Sequence, residues 1–349
     1  MKPVTMAPNL IDHFYRGGAN IAQLRGIETT SERQPEEWLA ATVSRAGEDP
    51  IGLSRTGSGE LLRDLVARDH AAWIGPEHAS ARNRSDVGIL FKLLDAGQRL
   101  PVHVHPDREF AQRHLNCPYG KTEAWFVLQS EPGAAVHIGW NTDIDSGELD
   151  RRRDAQDSEW MLDQMNRIEV ERGMGILIPA GTAHAIDAGI FVAEVQEPTD
   201  FSILLEWSVT TSTREESHLG IGFDAAMPAV STRALPKQAL QGLVVRNDLT
   251  ARHAEARRLL PSAADPFFRL SHVAPLPGRR IRVGAGFAVV LVLSGTAALT
   301  GAEDRIQVSA GQVFAVPHAF GEWDVEGDAS ALVGRPGVGW PASLVKRTP

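Results

Sequence analysis

The sequence predicts a mainly β fold: two barrels of short antiparallel strands in tandem, with a helical stretch between them. Three observations carry that reading. From Val87 the chain runs through GILFKLLDA, LPVHVHP, EAWFVLQ, AAVHIGW, GILIPAG and IFVAEVQ, short apolar or alternating segments each bounded by Gly, Pro, Asp or Asn. That spacing belongs to barrels and sandwiches of short strands. After Asp265 the rhythm returns in FFRLSHVAPL, FAVVLVLSGTAALTG, DRIQVSAGQVFAVP and ASALVGRP. Between the two sets, LPKQALQGLVV and LTARHAEARRLL carry apolar residues at helical spacing.

Taken in order, residues 1–86 mix polar loops with one predicted strand, Trp38 to Val43, and one predicted helix, around Gly59 to Arg68. The first set of strands follows, interrupted by DIDSGELDRRRDAQDSEWMLDQMNR, which is charged, weakly helical and reads as a surface insertion. The expected organisation is a first barrel unit at 1–208, a helical connector at 209–262 and a second barrel at 263–349.

The chain has 349 residues, 43% hydrophobic and 23% charged, which is the composition of a soluble globular protein with room for two domains. A formal charge of -9 argues against nucleic-acid and anionic-membrane partners, because phosphate surfaces demand a basic footprint. A single cysteine, Cys117, excludes an internal disulfide framework. No apolar run reaches spanning length and MKPVTMAPNLIDHFYRGG lacks a secretory pattern. The expected setting is the reducing cytoplasm, and the expected partner is a small molecule.

Two stretches carry chemistry. Gly97-Gln-Arg-Leu-Pro-Val-His103-Val-His105-Pro106 is answered about 70 residues later by Gly173-Met-Gly-Ile-Leu-Ile-Pro179-Ala-Gly181-Thr-Ala-His184, together the two halves of a cupin metal motif. Alternate residues of a strand project to one side, so His103 and His105 can grip one ion, with His184 as a third imidazole. Imidazoles plus one carboxylate suit zinc, manganese or iron with an open position for substrate. Two carboxylates compete for the fourth place. Glu109 fits the minimal cupin spacing, whereas Glu123 opens the next strand. Glu123 is preferred, because a residue four after His105 and beyond Pro106-Asp107 has left the strand. The fold class expected is therefore tandem cupin barrels, with metal in the first only, since Gly311-x5-Pro317 echoes the second half-motif but no His-x-His precedes it.

In order and spacing, Phe91-Lys-Leu-Leu-Asp-Ala-Gly-Gln-Arg-Leu-Pro-Val-His-Val-His-Pro-Asp107, Gly120-Lys-Thr-Glu-Ala-Trp-Phe-Val-Leu128 and Ile178-Pro-Ala-Gly-Thr-Ala-His through Gln196 resemble the type I mannose-6-phosphate isomerases. The clear match spans about residues 87–207. The resemblance implies a zinc-dependent aldose–ketose isomerase acting on a sugar or sugar phosphate, with His103 (in place of the family's Gln), His105, Glu123 and His184 as metal ligands. It nominates Lys121 and Lys92 as catalytic cations, able to donate to an enediolate or, with a pKa lowered by burial, to move a proton. Pro101 stands where the family has a phosphate-holding serine, and Leu204 near its active-site arginine, so a weaker preference for phosphorylated sugar is expected. The three-histidine set would also suit a cupin dioxygenase, and a non-catalytic sugar-binding cupin is a third reading. One barrel hosts many reactions.

Overall fold

The computed structural model describes residues 1–45, 47–78 and 83–344, and the strands among them lie in four sheets. In the first barrel, a seven-stranded sheet is ordered Val244–Arg246, Met174–Ile178, Glu123–Ser130, Ile190–Gln196, Leu90–Ala96, Glu36–Leu39 and Leu10–Ile11. A five-stranded sheet, ordered Ile203–Leu204, His103–Val104, His184–Ile186, Ala135–Trp140 and Met165–Glu169, packs against it. The space between is filled by Leu94, Trp125, Val127 and Val192 from the first sheet and by Val136, Ile138 and Ile186 from the second.

Strand alternation explains why the central runs are apolar almost throughout. On Leu90–Ala96, Glu123–Ser130 and Ile190–Gln196, one set of side chains faces the barrel interior. The other set, including Phe91, Leu93, Phe126 and Val195, packs on Phe268, Leu270, Val289 and Leu332 of the second barrel. A strand buried on both faces reads as a continuous hydrophobic run. Lys92, Glu123 and Glu194, which interrupt these strands, fall on the inward set and are buried.

The second barrel pairs a six-stranded sheet, containing Ala288–Ser294 and Ser330–Pro336, with a four-stranded sheet of Arg280–Val283, Trp323–Gly327, Thr296–Thr300 and Arg305–Ser309. Two contacts tie the chain ends across the barrels. Val4–Thr5 pairs with Phe314 and Ala315 of the second barrel, and Trp340 donates from Nε1 to the Tyr119 hydroxyl at 2.6 Å.

The helical expectations hold unevenly. A helix at Leu62–Arg68 and a strand at Glu36–Leu39 lie close to the predicted positions. The charged insertion does form helices, Ser146–Asp154 and Ser158–Asp163, but it is not mere surface decoration. Leu149 and Met161 pack with Val102, Val104 and Ala185, covering the outer face of the five-stranded sheet. Within 209–262 helix is limited to Phe223–Ala226 and Lys237–Gly242 plus two short 3-10 turns, Met227–Ala229 and the start of Ser262–Ala264. LTARHAEARRLL, expected to be helical, instead takes extended and turn conformations. Its backbone is claimed by the sheet: Arg257–Arg258 pairs with Ser271 and His272, and Leu259 N–H donates to Leu270 O at 3.0 Å. Tertiary pairing overrides the weak helical period there.

Candidate metal centre

The two half-motifs meet because their strands are neighbours. His184 lies directly opposite His103 in the antiparallel ladder. Gly181, in the turn that precedes His184, has φ of +84° and donates its N–H to His105 O at 2.7 Å. That positive φ is one glycine tolerates without strain, and it fastens the second half-motif onto the first. Val102 and Val104 point outward into the insertion's core, which turns His103 and His105 inward. The ring centroids of His103, His105 and His184 lie 4.0–4.9 Å apart, and their ligand nitrogens all fall within 4.8 Å of one another.

Each imidazole is oriented by a backbone carbonyl. Nδ1 of His103 faces Pro101 O at 2.8 Å, that of His105 faces Phe201 O at 2.7 Å and that of His184 faces Thr182 O at 2.8 Å. A ring that donates Nδ1–H to a carbonyl presents Nε2 as a lone pair, which is how metal-binding histidines are set. Glu123 reaches the same point from the opposite sheet. Its Oε2 is 2.9 Å from His105 Nε2, and its Oε1 is 3.4 Å from His184 Nε2.

These atoms are poorly served by the protein alone. His105 Nε2, His184 Nε2 and Glu123 Oε2 are buried without a hydrogen-bond partner, although unpaired buried polar atoms are costly. Burial holds the His103 imidazole well below its ordinary pKa, with His184 and His105 adding to the effect, and brings His105 down to about 3 with Lys121 assisting. Burial opposes ionisation of Glu123, but His105 and Lys121 hold it well below the usual carboxylate range. With Nδ1–H of His105 turned to a carbonyl, its Nε2 lone pair faces the Glu123 carboxylate at 2.9 Å, an arrangement that a bound cation would relieve. Three nitrogens and one carboxylate oxygen fit zinc, manganese or iron. Glu109, the competing carboxylate, stands on the exposed side of the helix Arg108–His114, 2.9 Å from Arg113.

A cleft opens beside this cluster and is lined by His103, Glu123, Lys121 and Lys92. Lys121 Nζ lies 3.4 Å from Glu123 Oε2. Lys92 Nζ lies 3.2 Å from Glu36, 3.9 Å from Glu194 and 3.9 Å from Asp200, and 4.9 Å from the Trp38 ring centroid. For Lys92 the expected lowering of the pKa does not occur. Desolvation acts in that direction, but the three carboxylates outweigh it and its pKa is raised, so Lys92 is a fixed cation.

The carboxylates around Lys92, together with His13 and Tyr15, are cleft residues that sequence reasoning passed over. Glu36 accepts from Tyr15 Oη and from Trp38 Nε1. Glu194 sits opposite Lys92 on one side and Trp125 on the other. Burial and the charge of Glu123 push its pKa up to about 8. A signal for Glu194 existed, since IFVAEVQ places one acid among apolar residues of a central strand, where the side chain is buried. His13 and Asp200 lie in segments without periodicity and gave none.

No protein-family model matches the chain. Among curated proteins, the chain is 25% identical over 342 residues, 96% of its own length and 99% of the other's, to a probable mannose-6-phosphate isomerase, GmuF, of Bacillus subtilis strain 168. Among solved structures, the mannose 6-phosphate isomerase of Bacillus subtilis superposes with a TM-score of 0.71 at 19% identity, covering 96% of this chain and 100% of that one. A mannose 6-phosphate isomerase bound with zinc and yttrium superposes equally well, with a TM-score of 0.71 at 15% identity, covering 97% of this chain and 100% of that one. The fold is that of a tandem-barrel cupin. Within that class, the chain is a divergent relative of the mannose-6-phosphate isomerases.

Proposed function

We propose that the protein is a metal-dependent aldose–ketose isomerase whose centre is His103, His105, Glu123 and His184 in the first barrel. The observation that carries this reading is the convergence of three carbonyl-oriented imidazoles on a buried carboxylate with partnerless donor atoms, at the wall of a cleft. Similarity to mannose-6-phosphate isomerases along nearly the whole chain supports the reaction class, and the zinc-bound structural neighbour supports zinc as the ion. A half-buried lone thiol at Cys117 is in keeping with a reducing, cytoplasmic setting.

Isomerisation moves a proton between C2 and C1 of an open-chain sugar and passes through an enediol. The bound ion would supply Lewis-acid stabilisation of negative charge on the substrate oxygens. Lys121, beside Glu123 and facing the cleft, donates a hydrogen bond to a substrate oxygen as charge develops there. Lys92 holds Glu36, Glu194 and Asp200 in place as a permanent cation. Of these carboxyls Glu194 is suited to carry the proton, because burial raises its pKa toward neutrality, while a cation at Glu123 draws it back toward the range in which the carboxylate is a competent base.

The experiment is an assay of zinc-loaded protein against a panel of aldoses and ketoses, free and phosphorylated, followed by NMR. Interconversion of at least one aldose–ketose pair, lost in Glu194→Gln by about 10²-fold or more in kcat, is the expected result. No interconversion across the panel would dismiss the reading.

A further inference from the structure

We propose that the cleft selects uncharged aldoses and ketoses and disfavours sugar phosphates, because its cations are already paired and its mouth is acidic. This rests on the isomerase reading and names its substrate class.

Inside the cleft, four acidic side chains, Glu36, Glu123, Glu194 and Asp200, face two lysines. Lys92 lies within 4.0 Å of three of them and Lys121 is 3.4 Å from the fourth. Lys92 is not spare for an incoming dianion, and Lys121, beside Glu123, serves the reacting end of the sugar. A divalent ion at Glu123 would offset negative charge at the reacting end of the sugar only, leaving the mouth of the cleft acidic.

The mouth continues into a wider vestibule lined by Asp12, Glu48, Asp200, Glu215 and Glu216. Among the described residues that line it, the one lysine or arginine is Arg45, which is engaged with Glu48 and donates to Asp12 O at 2.5 Å. The wall beside the histidines provides no substitute. Leu204 lies opposite His103 in register, Pro101 has no N–H, and Leu94, Leu100 and Ile186 complete an apolar surface. Nearby backbone donors are taken: Leu204 N–H by Ser217 O at 2.9 Å, Lys121 N–H by Pro106 O at 2.9 Å and Thr122 N–H by Glu197 at 3.0 Å. Phosphate recognition relies on charge-assisted donors, above all bidentate arginine or clustered amides, and this cleft presents neither. A polyol with an apolar face and hydroxyls at one end matches it.

The test compares kcat/KM of the zinc-loaded protein for mannose and fructose with that for their 6-phosphates, from about 10 mM to about 1 M salt, where the Debye length falls from about 30 Å to about 3 Å. The free sugars are expected to lead by about tenfold or more at low salt. Values for the phosphates should rise several-fold with salt while those for free sugars stay flat, since only a charged ligand feels the acidic mouth. Glu215→Lys, at an exposed vestibule position, should narrow the ratio. A phosphate advantage at low salt that declines with salt would overturn the proposal. Absence of turnover for every sugar would refute the isomerase reading alone. Calorimetric titration with mannose and mannose 6-phosphate then decides this point, and tighter binding of the phosphate overturns it.

Discussion

Replacing Lys92 with methionine removes the charge from the most heavily paired cation in the first barrel while keeping much of its volume. In the native protein its ammonium lies 3.2 Å from Glu36 and 3.9 Å from both Glu194 and Asp200, and both it and Glu36 are buried. Breaking a buried pair by deleting one partner costs about 3–5 kcal/mol, mostly the penalty of the charge left behind. Here Glu36 is the exposed liability, since Lys92 is the largest influence holding its carboxyl ionised against desolvation. We expect Lys92→Met to lose about 3–5 kcal/mol in urea denaturation of metal-free protein at pH 7. The sign with pH follows from linkage. The folded pKa of Glu36 lies below its unfolded value, so its contribution is present above the unfolded pKa and lost as pH falls through the folded one. Without Lys92 that pKa rises, and the gap between variant and parent should shrink as the pH is lowered toward 4. The double variant Lys92→Met/Glu36→Gln should recover about 2 kcal/mol or more relative to additivity. A single-variant loss under about 1 kcal/mol, with the same pH dependence as the parent, would refute the claim that the cluster is held by this lysine.

Other outcomes follow from the same coordinates. His184→Ala, which deletes a buried ligand nitrogen, should abolish tight binding of one zinc per chain, measured by elemental analysis after dialysis; full retention would remove His184 from the centre. Asp86 is buried, accepts from Tyr119 Oη at 2.5 Å and from Gly88 N–H at 2.8 Å, and desolvation pushes its pKa up to about 6. A raised carboxyl pKa means the folded state holds the proton longer, so stability falls as pH rises from about 4 to about 6, by roughly 3 kcal/mol for a shift of about two units. Asp86→Asn should flatten that slope in denaturation curves at pH 4.5 and 7.5, and an unchanged slope would show that Asp86 ionises normally.

Much of this architecture was legible because strand alternation and turn residues are local. His103-Val-His105 announces two imidazoles on one face, and Gly181 marks the turn that brings His184 beside them. What stayed hidden depended on pairing between distant segments. LTARHAEARRLL has a helical period, yet its backbone is used to pair with Ser271 and His272. The insertion after Trp140 is rich in charge, yet its Ile144, Leu149, Met161 and Met165 complete the core behind the histidines. Likewise the environment of Lys92 follows from Glu36, Glu194 and Asp200, which lie 56, 102 and 108 positions away in sequence, so burial alone gave the wrong direction for its pKa.

The proposed mechanism requires one metal ion in the first barrel for isomerisation. It is tested most directly by stripping the protein with a chelator and titrating zinc back while following aldose–ketose interconversion. Activity should be absent at the start, rise linearly and reach its plateau at about one equivalent per chain. Activity that survives complete removal of metal, or protein that binds its equivalent of zinc and still interconverts no sugar, would contradict it.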